Sequence, residues 1–308
     1  MTAKVTFAHR AEYAAVRGAV AALRWLGLSA AGSVGARIGK LGYRPLGIRR
    51  DVVERHVAAA FPNLDHQQVE QLAIAAYAHL GRTTIETALL PSYEKGRVLE
   101  LFEEVQGWDI VEENLARGKG LIVATGHLGN WELGGAYVAA RGLPLDAIAR
   151  HMANPLFDRY LTETREHIGM NIIHDEDAVR RVPRALRDGH VVAFLMDQGV
   201  LGLASTWVPF FGRLAKTPRG PAVFALRLGS PMVFGAVVRL PTGKYRISFE
   251  PIDTTATGNL EADVERIVTE YTAALERWVR QAPEQYFWHH RRWKHQRPGT
   301  PPELGEPA

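Results

Sequence analysis

The stretch GHLGNWE, residues 126–132, combines residue types that can move a proton. His127 follows Gly126, and Glu132 comes five residues after the histidine. A carboxylate on one imidazole nitrogen fixes the tautomer and raises the basicity of the ring, so that the other nitrogen can take a proton from a hydroxyl. The pair therefore predicts the His–acid half of a catalytic triad, with the nucleophilic hydroxyl supplied by a substrate.

A structural role is the alternative for each residue of this pair. A histidine at the end of a strand can simply bond to backbone, and Glu132 would favour the dipole of a helix capped by Asn130. The glycines around His127 favour the functional interpretation, because they allow a sharp turn and the close approach of another molecule.

The surrounding sequence alternates strands and helices. Apolar runs predict strands at 120–126, 145–150, 190–197, 232–240 and 245–252. Helices are predicted at 49–60, 66–90, 130–141, 155–168, 176–187, 218–228 and 261–280. This order predicts an α/β fold with a central mixed, mostly parallel sheet flanked by helices, in which the turn PTGK joins the last two strands as a hairpin.

Ionisable residues end three of the predicted strands. They are His127, Arg150 and Asp197. Ligands of α/β folds gather at the carboxyl ends of strands, so these side chains are predicted to line one cleft. Arg150 there suits a phosphate or sugar of a substrate, and a solvated strand end is the alternative.

The segment AKTPRG predicts a second anion site. Thr217 fits the N-cap of the helix that follows, and Pro218 fits its first position. Such an N-terminus can hold an anion, and Lys216 and Arg219 stand beside it, so both are candidate substrate-binding residues. The alternative is a capped helix with two exposed cations.

The first 50 residues are strongly basic. They hold nine Lys and Arg against one acid, Glu12, whereas the whole chain has a net charge of +4. Tyr13, Val16, Val20, Leu23 and Leu26 form an apolar helical stripe, which predicts an amphipathic helix that lies in a membrane interface or packs on its own domain. The longest uncharged run, Trp25–Ala36, is too short to span a bilayer.

The rest of the composition excludes several classes of site. The chain has no cysteine, which excludes a thiolate nucleophile, a cysteine zinc site and disulfides. The motifs G-x-S-x-G, G-x-G-x-x-G and H-E-x-x-H are absent, so neither a metal nor a cofactor is predicted. We interpret residues 1–308 as a single domain, with residues 298–308 as a disordered tail.

The segment WHHRRWK, residues 288–294, interleaves aromatic and basic residues. Stacking plus charge suits nucleic acid, and the same residue types suit a lipid headgroup interface. We favour packing of Trp288 in the core, with the cations near the membrane or a carrier protein and with no nucleic-acid partner.

Several ordered segments resemble the lipid A late acyltransferase family, which also includes the mycobacterial phosphatidylinositol mannoside acyltransferases. HLGNWE has the family's H-x4-E form. The other matching segments, in order, are AFPNLDHQQVEQLAIAAYAHLGRTTIE, ARHMANPLFDRYLTETRE, FLMDQG, VPFFGR with TPRGPAVFALRLGSPMV, and PEQYFWHHRRWK. The resemblance covers residues 10–297 and implies a glycerolipid-acyltransferase-like fold.

The resemblance also implies an activity: transfer of a fatty acyl group from an acyl carrier protein or coenzyme A thioester to a hydroxyl of a membrane glycolipid such as a lipid A precursor. It implies peripheral or monotopic attachment to the cytoplasmic face of the inner membrane, through residues 10–50. His127 matches the catalytic histidine and Glu132 its acidic partner. Arg165 and Asp197 match further functional positions, and Asn130 matches a residue beside the pair.

On this basis Glu132 is predicted to orient His127, and Arg165 and Asp197 to form a charged pair that lines the cleft. Backbone N–H groups of 126–130 are predicted to stabilise the tetrahedral intermediate. The acceptor stays open between a lipid A precursor, a phosphatidylinositol mannoside, a lysophospholipid and an aminolipid. A non-catalytic membrane-binding homologue is the alternative from another class.

Overall fold

A central sheet of seven strands organises the chain, as a computed structural model shows for residues 5–199, 202 and 204–307. In chain order the strands are β1 (Phe102–Gln106), β2 (Leu121–Thr125), β3 (Leu145–Ala149), β4 (Met170–His174), β5 (Val191–Leu195), β6 (Ser205–Phe210), β7 (Arg213–Pro218), β8 (Met232–Arg239) and β9 (Tyr245–Ile252). The sheet has the order β1-β9-β8-β2-β5-β3-β4, and β6 pairs with β7 as a separate hairpin.

The prediction of a mixed, mostly parallel sheet is confirmed. Among the described pairings of the large sheet, only β8 and β9 run antiparallel, and they are joined by the predicted PTGK turn. Four of the nine strands were not predicted. β1 and β4 lie at the two edges of the sheet, and β6 and β7 each contain a proline and are interrupted by polar residues, which hides an apolar alternation.

Helices cover both faces of the sheet. They are α1 (Phe7–Leu23), α2 (Leu28–Tyr43), α3 (Arg50–Ala60), α4 (His66–Leu89), α5 (Lys95–Glu100), α6 (Trp108–Leu115), α7 (Trp131–Ala140), α8 (Pro155–His167), α9 (Ala178–Arg187), α10 (Gly220–Leu228) and α11 (Leu260–Gln281). The seven predicted helices are confirmed to within a few residues. Asp65 and Gln68 form a reciprocal capping box that fixes the start of α4.

The core has two parts, one on each face of the sheet. Ile122 and Ala124 of β2 point into the part that contains α10 and α11, whereas Leu121 and Val123 point into the part that contains α7. A strand that is buried on both faces reads as a continuous apolar run, as GLIVA does. This burial fixes the position at which β2 ends and at which His127 begins the next loop.

The apolar stripe of α1 packs on the protein itself. Tyr13 makes edge contacts with Phe157 and Tyr160 of α8, and Val20 is buried in a small cluster with Leu28. The exposed apolar side chains of this region instead lie mostly after α1: Trp25, Leu26, Ile38, Leu41, Leu46 and Ile48. In the part of the chain that the structure describes, no helix is both long and apolar enough to cross a bilayer.

The C-terminal tail, for which disorder is predicted over 298–308, makes specific contacts through its described residues. Arg291 bonds through both Nε and Nη2 to the Glu306 carboxylate, at 2.6 and 2.7 Å, and Arg213 donates to the Gly305 carbonyl at 2.7 Å. The proline content that predicted disorder also suits an extended segment held by side-chain bonds to the body of the protein.

Candidate active site

The structure brings three predicted strand ends to one edge of the sheet. The strands β2, β5 and β3 are neighbours in that order, and His127, Asp197 and Arg150 follow their carboxyl ends. Glu132 lies in the first turn of α7, whose N-cap is Asn130, as predicted. The parallel topology therefore gathers these side chains, which are far apart in the sequence.

The partner of His127 is Asp197. The imidazole Nδ1 lies 2.7 Å from Asp197 Oδ1, and the backbone N–H of His127 donates to Oδ2 at 3.1 Å. Burial alone would raise the pKa of Asp197, but the charge and hydrogen bonds of His127 outweigh burial and lower it to about 2. An ionised carboxylate can only accept, so Nδ1 carries a proton, and in the neutral form of the imidazole Nε2 is left with its lone pair.

Residues near the C-terminus surround this carboxylate. Burial and the charge of Asp197 raise the pKa of Tyr286, and the charge of the buried Arg292 also lowers the pKa of Asp197. Arg292 is held by the Lys216 carbonyl and by Thr217 Oγ1, at 2.7 and 2.6 Å. Trp288 is buried, as predicted, but the prediction that the cations of this segment lie near the membrane or a carrier is wrong for Arg292, which is only 3% exposed.

The lowered pKa of Asp197 predicts a pH dependence of stability. The carboxyl has a pKa near 3.8 in the unfolded chain and about 2 in the fold, so its stabilising contribution is complete above 3.8 and disappears as the pH falls through 2. That contribution is about 2 kcal/mol at neutral pH. We expect the difference in unfolding free energy between wild type and Asp197→Asn, measured in denaturant, to shrink over this interval. A constant difference would contradict the assignment.

Glu132 pairs with Arg165 and not with His127. The Glu132 carboxylate accepts bonds from both Nε and Nη2 of Arg165, a fork that suits a carboxylate. Glu132 is 8% exposed, and its charge, which outweighs the effect of burial, raises the pKa of Arg165. Two predicted contacts are therefore absent among the described residues: Glu132 does not bond to His127, and Arg165 does not pair with Asp197. Instead Asp197 bonds to His127, and Glu132 bonds to Arg165.

The loop that carries His127 is fixed by the protein's own backbone. Gly129 N–H donates to the Gln285 carbonyl at 2.9 Å, and Phe287 N–H donates to the His127 carbonyl at 3.0 Å. Gly129 has a φ of +60°, and a Cβ there would overlap the Val237 carbonyl. A Cβ on Gly126 would lie 2.7 Å from Leu275. These glycines therefore make room for core atoms, whereas the sequence suggested room for another molecule.

The backbone N–H groups of this loop are already engaged. His127 N–H donates to Asp197, Leu128 N–H to the Gly126 carbonyl and Gly129 N–H to Gln285. The prediction that this backbone stabilises the tetrahedral intermediate is therefore wrong for residues 127–129. A side-chain donor lies nearby, since Gln198 Nε2 is 3.4 Å from both ring nitrogens of His127.

A narrow apolar cavity of ≈ 80 Å³ begins beside this loop and runs between α7 and the sheet. Small or branched residues of four adjacent strands line its floor, namely Val123, Ala147, Ala193 and Gly235. Its polar lining consists of Thr125, Trp131, Glu132 and Arg165. The Trp131 ring also makes an edge contact with the His127 imidazole, with centroids 4.8 Å apart. The site thus places His127 beside a narrow apolar cavity.

The other candidate substrate-binding residues lie elsewhere. Arg150 is largely exposed and pairs with Asp175 at 2.9 Å, as in the alternative of a solvated strand end. Lys216 lies within β7, and Arg219 pairs with Glu261 at 2.8 Å.

The predicted helix start at 217–218 is wrong by two residues. Thr217 and Pro218 end β7, and α10 begins at Gly220 with Pro221 in its first turn. Proline is favoured in the first turn of a helix, and Pro218 and Pro221 both fit that preference. Pro218 belongs to β7, and Pro221 is the proline that lies in the first turn of α10.

Comparison with known proteins identifies the family. Residues 2–295 match the family described as "Bacterial lipid A biosynthesis acyltransferase". Two relatives described as "Phosphatidylinositol mannoside acyltransferase" are similar: one from Mycolicibacterium smegmatis, 26% identical over 164 residues and 52% of each chain, and one from Mycobacterium tuberculosis, 27% identical over 170 residues and 53% of each chain.

A "Lipid A biosynthesis acyltransferase" from Haemophilus influenzae is 25% identical over 205 residues, which are 66% of this chain and 64% of the relative. The chain thus spans about half the length of the mycobacterial relatives that it matches. The family match, by contrast, runs through every element from α1 to α11. The chain belongs to the bacterial lipid A biosynthesis acyltransferase family.

Proposed function

We propose that the protein transfers a fatty acyl group from a thioester donor to a hydroxyl of a membrane glycolipid. The observation that carries the proposal is the position of a carboxylate-bound histidine at the mouth of an apolar cavity. A cavity lined by aliphatic residues with few polar groups suits an acyl chain. Relatives named for lipid A biosynthesis and for phosphatidylinositol mannoside acylation support a glycolipid acceptor.

His127 acts as the general base and Asp197 as its positioning carboxylate. Nε2 takes the proton of the acceptor hydroxyl while the oxygen attacks the thioester carbonyl and forms a C–O bond. The tetrahedral intermediate then expels the thiolate by breaking the C–S bond, and the imidazolium returns the proton to sulfur. Asp197 stabilises the imidazolium and keeps Nδ1 protonated. This assignment replaces Glu132 by Asp197 in the role that the H-x4-E spacing suggested.

Glu132 and Arg165 fix the mouth of the cavity. Both line it, and their bidentate bond orients two otherwise flexible side chains at the point where the thioester must lie. We assign them a positioning role, because each is bonded to the other. The donor is an acyl carrier protein or a coenzyme A thioester, and the protein itself supplies the groups that move the proton.

The surface around residues 24–49 is the proposed membrane contact. Trp25 is 82% exposed, the Arg24 guanidinium lies over its ring, and Leu46 and Ile48 are exposed beyond α2. Aromatic and apolar side chains among cations suit an interface with anionic lipid. The proposal is peripheral or monotopic attachment at the cytoplasmic face of the inner membrane, through the turn after α1 and through α2 rather than through the stripe of α1.

The direct test supplies purified protein with radiolabelled acyl carrier protein and acyl-coenzyme A donors and a panel of lipid acceptors. The panel contains a lipid A precursor, phosphatidylinositol mannosides, a lysophospholipid and an aminolipid. We expect label in a glycolipid with wild type and none with His127→Ala. If no acceptor is labelled, while both proteins bind the membrane equally, the non-catalytic alternative is correct.

The cavity predicts a change of donor preference. Ala193→Leu places a larger side chain on the cavity floor, so we expect long-chain donors to lose transfer about tenfold or more, while short-chain donors keep it. The measurement compares kcat/KM for donors of increasing chain length. Ala116→Leu, at an exposed position after α6, serves as the control. An equal loss for every donor length would contradict the assignment of the cavity.

A further inference from the structure

A second concave surface lies on the other side of the His127 loop. This cationic groove, ≈ 840 Å³ in volume, runs between α2, α4, the end of β8 and the segment after α11. Its charged lining residues are Lys40, Arg82, Arg239, Arg246 and Glu284. The loop is bonded to two lining residues, because the Gly129 carbonyl accepts a bond from His79 at 3.0 Å and the Gly129 N–H donates to Gln285.

The floor of the cationic groove has more positive than negative charge. Arg82 and Arg239 share one buried carboxylate, that of Glu86. Arg239 bonds to it at 2.8 Å, whereas Arg82 Nη1 is 3.9 Å from it. Glu86 also accepts from the Tyr245 hydroxyl and, at 3.2 Å, from Asn130. The acceptor sites of this one carboxylate are thus taken up by other donors.

Among the three arginines that line the cationic groove, Arg82 is the one without a described hydrogen-bonded partner. Its Nη1 is buried and makes no hydrogen bond with any described residue. The other two arginines of the cationic groove are held by carboxylates, since Arg246 pairs with Glu104 at 2.6 Å. Burial and the charge of Arg239 lower the pKa of Arg82. A guanidinium in these surroundings is stabilised by an added anion.

Lys40 stands at the opening of the cationic groove with its charge exposed, and no described acid pairs with it within salt-bridge distance. Glu284 faces the same space, and its Oε1 accepts a bond from Gln285 at 3.2 Å. The described cations of the lining therefore outnumber the described acids. The two cations without a bonded carboxylate are Lys40 of α2 and Arg82 of α4, and these two helices form one side of the cationic groove.

We infer that the cationic groove binds a phosphate group carried by one of the two substrates. Arg82 and Lys40 both line the groove, and a guanidinium with an ammonium is a combination that proteins use for phosphate. The phosphate belongs either to the carrier arm of the thioester donor or to the headgroup of the glycolipid acceptor. The identity of the substrate rests on the proposed function, whereas the binding of phosphate does not.

The position of the cationic groove connects it to catalysis. Asn130 bonds to Glu86 and also caps α7, and it lies three residues from His127. A phosphate in the cationic groove and an acyl chain in the apolar cavity both bring substrate to the end of the sheet at which His127 lies. The anion site predicted from the sequence at Lys216 and Arg219 is thus replaced by one that α2 and α4 form together.

The test measures binding of inorganic pyrophosphate by calorimetry. We expect saturable binding to wild type and to His127→Ala, and about tenfold weaker binding to Arg82→Gln and to Lys40→Gln, because each loses a charge-assisted contact. Arg55→Gln, on the exposed face of α3, is the control and keeps wild-type affinity. The Glu86–Arg239 pair stays intact in Arg82→Gln, and Lys40→Gln changes only an exposed side chain.

Two further ligands identify the source of the phosphate. Stronger binding of adenosine 3′,5′-bisphosphate than of glycerophosphoinositol, lost in the same two variants, assigns the site to the donor, and the reverse order assigns it to the acceptor. Equal pyrophosphate affinity in wild type, Arg82→Gln and Lys40→Gln overturns the inference. Binding of pyrophosphate without binding of either larger ligand overturns the assignment to a substrate. Because His127→Ala binds in every supporting outcome, failure of the catalytic proposal is recognised separately.

Discussion

His127→Ala is expected to reduce acyl transfer about 10⁴-fold, the upper range for loss of a general base, while the fold is retained. The side chain is only partly buried, and its loss removes its bond to Asp197 without opening the core. The measurement is kcat with saturating donor and acceptor, together with a thermal unfolding curve.

The chain offers a matched control for this variant. His190 forms the same kind of pair with a buried acid, with Nδ1 2.6 Å from Asp146 Oδ2, but it precedes β5 and so lies at the opposite edge of the sheet. His190→Ala therefore removes an equivalent bond away from the cleft, and we expect it to keep kcat. Transfer at wild-type rate in His127→Ala, or an equal loss in both variants, would exclude His127 as the base.

Asp197→Asn is expected to lower kcat about 10³-fold to 10⁴-fold. The asparagine amide donates to Nδ1 and so holds the imidazole in the other tautomer, in which Nε2 carries the proton and cannot accept one. Asp146→Asn is the matched control, because it makes the same change in the His190 pair. Normal kcat in Asp197→Asn would show that the carboxylate is structural.

The melting temperature of Glu132→Gln distinguishes the role of Glu132 from that of Asp197. This change leaves the buried Arg165 without its counterion, which costs about 3 kcal/mol of stability. We therefore expect a lower melting temperature as its first effect, with part of the activity retained in the cold. Asp197→Asn shows the opposite pattern at neutral pH, with the larger effect on kcat. If Glu132→Gln instead abolished transfer without any loss of stability, Glu132 rather than Asp197 would be the acid that acts through His127.

The sequence predicted those parts of the fold that depend on local pattern. The apolar runs that became β2, β3, β5, β8 and β9 are long or buried on both faces, and the helices between them have regular periodicity. The strand β4 lies at an edge of the sheet and pairs with β3, whereas β6 and β7 form a local hairpin outside the large sheet. Their alternation is interrupted by prolines and polar residues, so no local signal marks them.

The sequence predicted which residues form the site but not which acid bonds to His127. His127, Glu132, Arg165 and Asp197 all lie at one end of the sheet, yet spacing along the chain favoured Glu132 as the partner of His127. Asp197 is 70 residues away and becomes its neighbour only because β2 and β5 pair in parallel. Arg292 lies in a segment of interleaved basic and aromatic residues that suits a surface equally well, and only packing shows that it is buried.

Arg82 shows a further limit of the sequence. It lies in the middle of α4, where an arginine is an ordinary helix former. Its significance comes from the single carboxylate that it shares with Arg239, which is 157 positions later and on a strand. An excess of positive charge of this kind arises from tertiary contacts, so no sequence motif predicts it.

The most direct test of the central claim, that Asp197 acts through His127, is a double-mutant cycle on the rate of acyl transfer. The four proteins are wild type, His127→Ala, Asp197→Asn and the double variant, measured with one donor and one acceptor. Because residues that act as one unit are not additive, we predict that Asp197→Asn causes no further loss in the His127→Ala background. A double variant whose loss equals the product of the two single losses would contradict the account.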